Sequence, residues 1–118
     1  MRDHRKLEVF ELADRLVLSV YEATRTFPIE ERFGLANQVR RAAISIGANI
    51  VEGAARHSEA DYIRFLNIAY SSACELEYEL SIAERLGYLD VQSNLPMLAS
   101  RTCRALRGLI LALKSGGV

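Results

Sequence analysis

Thirteen of the 15 basic residues in this 118-residue chain are arginine; only Lys6 and Lys114 are lysine. Arginine's planar fork suits bidentate contact with phosphate or carboxylate, and a coding bias in a GC-rich genome explains the same excess equally well. Position sharpens the question. Arg101, Arg104, Arg107 and Lys114 follow one another with no acid between them, and Arg2, Arg5 and Lys6 open the chain. These seven are the candidate nucleic-acid contacts, and phosphate binding through them implies an affinity that falls steeply with salt. The net charge is zero, with 15 basic against 15 acidic residues, which argues against tight, indiscriminate binding by a single copy.

Other chemistries find less to work with. The histidines are His4 and His57, neither near a cysteine, and no HExxH or paired-Cys motif exists for a metal. There is no Gly-rich phosphate loop and no strand–turn–helix that would present a nucleophilic serine. Glu75 and Glu79 stand one helical turn apart, with Glu52 able to approach them, but di-iron bundles also need Glu-x-x-His elements. No catalytic residue, metal site or cofactor is therefore expected. Cys74 and Cys103 lie in helical stretches, where a small buried thiol is the ordinary reading. The N-terminus has no apolar core of a signal peptide, and no apolar run reaches the ~18 residues of a membrane span. The expected location is a reducing cytoplasm, without disulfides.

Four segments must position these residues. Apolar residues at steps of three and four mark helices. The first runs from about Leu7 to Thr26, with Leu7, Phe10, Ala13, Leu16, Val17, Val20, Tyr21 and Thr24 as its stripe, and stops at Phe27-Pro28. The second, about Arg32 to Arg56, turns Leu35, Val39, Ala42, Ala43, Ile46, Ile50 and Gly53 to the core. The third, about Ser58 to Leu86, opens on a Ser58 cap with Asp61 three residues later and closes at Gly87. The fourth, about Gln92 to Lys114, carries Pro96 in its first turn. No segment alternates with period two, so strands are not expected. Short links make an all-α, antiparallel up-and-down four-helix bundle, one domain over residues 1–118.

The second segment departs from the usual amphipathic pattern. Gln38, Arg41, Ser45, Asn49, Glu52 and Arg56 fall in one narrow sector of its wheel, at about 100° per residue. Apolar residues flank that line on both sides: the core face, and a second surface of Ile44, Ala48, Val51 and Ala55 with Arg40 at its edge. The polar line reads either as an internal ladder, with Glu52 paired to Arg41 or Arg56 and Asn49 bonded to backbone, or as a groove for an anion or polar ligand. One bundle offers this helix one core, so Ile44 and Val51 are expected to pack on another subunit of a homo-oligomer. Charge is also segregated. The third segment sums to −4 and the fourth to +4. They either offset one another as neighbours, or the oligomer repeats the basic helix around an axis into one large cationic surface.

The stretch Phe33 to Leu89 resembles the four-helix-bundle family of proteins encoded in intervening sequences of bacterial 23S rRNA genes. The matching features are Gln38, Arg40-Arg41, Ala42-Ala43, Ser45-Ile46, Asn49-Ile50, Glu52-Gly53, Ser58, Phe65-Leu66, Ala69, Glu75-Leu76 and Leu86-Gly87-Tyr88-Leu89. Leu7-Glu8-Val9-Phe10, Ala13 and Phe27-Pro28 also fit the family's first helix. The likeness covers nearly the whole chain and is weaker over the fourth segment, whose arginines match no family motif. Gly47 stands where the family often has proline or a small residue, which leaves room for a bend. The resemblance implies a bundle assembled as a ring, typically a homopentamer, without enzymatic activity. The family is similar to the accessory variability proteins of diversity-generating retroelements, which are pentameric, basic on the surface, and associated with a reverse transcriptase and nucleic acid. The leading expectation is a non-catalytic oligomer that docks RNA or a ribonucleoprotein. The alternative is an adaptor that docks a partner protein such as a polymerase.

Overall fold

Local chemistry marks several of the helix ends in a computed structural model that describes residues 2–116. A 3₁₀ turn at His4–Lys6 leads into α1 (Glu8–Thr24), whose first turn carries Glu8 and Glu11 against the positive end of the helix dipole. A second 3₁₀ turn, Ile29–Glu31, precedes α2 (Leu35–Ala54), which runs uninterrupted across Gly47. α3 (Glu59–Arg85) is capped by Ser58, whose Oγ accepts the Asp61 N–H at 3.1 Å. It stops in a Schellman arrangement: Gly87 takes φ +78°, and the Gly87 and Tyr88 N–H groups donate to Glu84 and Ala83 carbonyls at 3.0 and 2.9 Å. α4 (Leu95–Lys114) takes Pro96 in its first turn, where no intrahelical donor is lost.

Sequence neighbours pack side by side and α1 closes against α4, leaving α1/α3 and α2/α4 as the diagonals. Neighbours run antiparallel. Arg40 at the start of α2 bonds Thr24 at the end of α1, 2.8 Å apart, and Gly53 near the end of α2 abuts Tyr62 and Phe65 near the start of α3. Leu7 and Val9 lie beside Ala105 and Leu109 of α4. A 27-residue helix is about 40 Å long, so α3 accounts for the longest dimension of a 44 × 22 × 19 Å body. All four helices feed one core that includes Leu16, Val20, Val39, Ile46, Ile50, Leu66, Leu76, Leu80 and Leu106.

The buried face of α1 differs from the stripe its spacing predicts. Val9 and Leu12 are buried, whereas Leu7, Phe10 and Val17 are only partly covered and Tyr21 is 41% exposed. α1 sits between α2 and α4, so its core face points between them. Of the stripe's outlying members, Tyr21 lies on the α2 flank beside Arg40 and Leu7 on the α4 flank.

Candidate functional site

α4 turns its cations outward because Ala99, Thr102, Cys103, Leu106, Ile110 and Leu113 occupy the opposite face as core. Arg101, Arg104, Arg107 and Lys114 are all exposed, within an arc of roughly 140° and over about 20 Å of helix. Exposed Met97 and Leu111 stand among them. Arg104 donates to Ser100 Oγ at 2.9 Å. Among the described residues none of the four forms an ion pair, so the offsetting of α4 by acidic α3 through direct pairs is not what the structure shows. Two acids of α3 are aimed elsewhere: Asp61 meets Arg64 of its own helix at 3.4 Å, and Glu75 lines a groove with Gln38 and Arg41 of α2; Glu77 faces α4 but acts on Cys103.

The N-terminal cations are less free than their spacing suggests. The Arg5 guanidinium donates to both carboxylate oxygens of Asp3, at 3.0 and 3.1 Å. Those hydrogen bonds, with one from the Arg5 backbone, hold the Asp3 carboxyl below its ordinary range. Arg2 is half-buried: its N–H donates to Ala54 O at 2.8 Å and its guanidinium lies 4.0 Å from the Tyr62 ring centre. It fastens the chain start to the α2–α3 corner. Lys6 is exposed and shares the end of the bundle that holds Lys114.

The polar line of α2 runs along its seam with α3. Gln38 and Arg41 are exposed; Ser45, Asn49, Glu52 and Arg56 are half-buried. The Ser45 and Ser72 hydroxyls bond across the seam at 2.8 Å. Asn49 Nδ2 donates to the Ser45 carbonyl at 2.8 Å, and Glu52 pairs with Arg56. The lower line thus bonds along α2 and to Ser72, but as a surface row and not a buried ladder, since the Arg56 and Glu52 side chains are 41% and 45% exposed. The upper line opens into a groove of about 360 Å³ lined by Gln38, Arg41, Ser45, Ser72 and Glu75. On the outer face of α2, Ile44 is 47% exposed, Ala48 and Ala55 are exposed and Val51 is half-buried. Among the described residues, no helix covers Ile44, Ala48 or Ala55.

Two features escaped the sequence pattern. Glu79 is 6% exposed and its Oε1 has no hydrogen-bond partner. Burial first, then Glu75, pushes its carboxyl up to about 7. Spacing alone does not reveal it, since Glu75 one turn earlier is exposed. Of the cysteines, Cys103 is buried as expected but Cys74 is exposed.

These elements define an antiparallel four-helix-bundle protein with a cationic outer helix and an uncovered apolar flank. The chain belongs to the 23S rRNA-intervening sequence protein family, whose model matches residues 5–108. It is similar to a crystal structure from Bacteroides thetaiotaomicron, a protein with unknown function from the S23 ribosomal protein family. That similarity has a TM-score of 0.80 at 27% identity and covers 87% of this chain and 95% of that one. No curated protein matches the chain. No helix among the described residues is long and apolar enough to cross a membrane.

Proposed function

We propose that the chain is a non-catalytic subunit of a homo-oligomer that docks RNA or a ribonucleoprotein through the outer face of α4. The observation that carries this reading is the row Arg101, Arg104, Arg107 and Lys114, exposed and without an acidic partner among the described residues. Unpaired exposed cations are available to displace counterions from a phosphate backbone. Lys6 joins them at one end; Arg2 and Arg5 are secondary, being already engaged. The family's link to rRNA genes is consistent with an RNA partner, and a cytoplasmic location follows from that reading.

Filter binding of a structured RNA across a salt series tests it. Retention should fall steeply between about 50 and 200 mM salt, and reversing Arg101 and Arg104 to Glu should abolish it. Salt-independent retention, or none at low salt, rejects the reading. If charge reversal leaves binding of a ribonucleoprotein intact, the second reading applies: an adaptor that uses another face. Such an adaptor would use the polar line of α2 or the rim of the oligomer.

A further inference from the structure

We propose that Cys74 and Cys103 are an oxidisable thiol pair whose disulfide bolts α4 to the middle of α3. The two residues come from different helices, yet their Sγ atoms lie 3.6 Å apart in thiol–thiol contact, and both are free. A disulfide bond needs about 2.05 Å, so the sulfurs have about 1.5 Å to close, within reach of side-chain rotation and a small adjustment of two packed helices. Of the two helices joined, α4 carries the unpaired cations and is the last of the bundle. A bond here fixes it to the longest element.

The two thiols are unequal, which orders the chemistry. Cys74 is exposed and Cys103 is 7% exposed, so an oxidant reaches Cys74 first. With a small-molecule disulfide as oxidant, the Cys74 thiolate attacks one of its sulfurs. The oxidant's S–S bond breaks, one small thiol leaves with the electron pair, and a mixed disulfide remains on Cys74. Cys103 then loses its proton to solvent and its sulfur attacks Cys74 Sγ, expelling the second small thiol. The protein has lost two protons and two electrons; the oxidant has become two thiols. Burial first, then Cys74 and Glu77, push the Cys103 thiol up to about 12. The second step is therefore the slow one, because the attacking species is the thiolate.

Incubation of the full chain with oxidised glutathione, followed by intact mass and peptide mapping, tests the pair. The expected product has lost two hydrogens, contains one peptide joining Cys74 to Cys103, and melts about 5 °C or more above the reduced protein. Dithiothreitol should reverse all three changes. Cys103→Ser should stop at a stable glutathione adduct on Cys74, and Cys74→Ser should take up none. Copies linked to each other through Cys74, a wild-type adduct that never resolves, or two thiols that stay alkylatable after prolonged oxidation would each overturn the proposal. Mapping of the wild-type chain decides the matter even where a serine variant fails to fold.

Discussion

A carboxylate held out of water is the most unusual single group in the molecule. Glu79 is buried with an unpartnered oxygen, and burial followed by Glu75 raises its carboxyl from 4.5 to about 7. In the unfolded chain the same group titrates near its ordinary value. Between about pH 4.5 and 7 the folded state therefore holds a proton that the unfolded state has released. Under that linkage stability falls as pH rises through this window, and above it the charged group destabilises the fold by a few kcal/mol at most. Glu79→Gln keeps the shape and removes the titration. Urea unfolding should show the variant more stable than wild type by about 1–3 kcal/mol at pH 8, with the gap closing toward pH 5. An equal gap at both pH values would point to hydrogen bonding by the amide in place of proton linkage.

At the scale of elements, the α2–α3 pair is set by one glycine. A Cβ on Gly53 would come within 2.9 Å of Phe65 Cβ and 3.3 Å of the Tyr62 carbonyl oxygen. Neither is a flexible chain end that can swing aside, so the helices themselves must part. Alanine raises helix propensity by up to about 1 kcal/mol, but overpacking of this kind destabilises by about 1–3 kcal/mol, and the clash wins. Gly53→Ala should lower the unfolding free energy by about 1–2 kcal/mol. Gly108→Ala on α4, where a Cβ meets nothing within 4 Å, should raise it by about 0.5–1 kcal/mol. Chemical denaturation of the two variants side by side checks the opposite signs. Much of this level was readable from residues alone: Ser58 and Gly87 bracket α3 because capping and left-handed geometry are local matters. The outward aim of the α4 cations was readable too, since the apolar period fixes which face is core. Contacts between elements were not. The approach of Cys74 to Cys103 depends on the register of α3 against α4. The binding of Arg2 to Tyr62 depends on where the chain start lands. Neither leaves a periodic signature.

The whole molecule has a bare flank, and its chemistry argues for covering it with copies of itself. On α1, Leu18 is 66% exposed and Tyr21 is 41% exposed. The antiparallel pairing of α1 with α2, fixed by the Thr24–Arg40 bond and the approach of Ala13 to Gly47, sets Leu18 level with Ile44. Ile44, Ala48, Val51 and Leu18 therefore share one side of the bundle. Single exposed apolar residues are ordinary, but several gathered on one side of a small chain fit an interaction surface, with exposed Glu11 and Asp14 of α1 at its margin. If the family resemblance carries over, a ring of five copies that used that side as one half of each contact would leave each α4 free on the opposite side and repeat its cations. Under the proposed RNA-docking function, such linked contacts would raise avidity without any new residue. Ile44→Glu with Val51→Glu should bring the light-scattering mass down toward the 13.2 kDa of one chain. RNA retention should fall with it, although no cation has been touched. Ile44→Glu is a surface substitution, worth about 0.5 kcal/mol, and Val51→Glu at a half-buried position costs more; circular dichroism on both variants separates loss of assembly from unfolding. A wild-type mass already equal to one chain, or a variant that keeps both its mass and its RNA, would remove the ring and leave α4 to act alone.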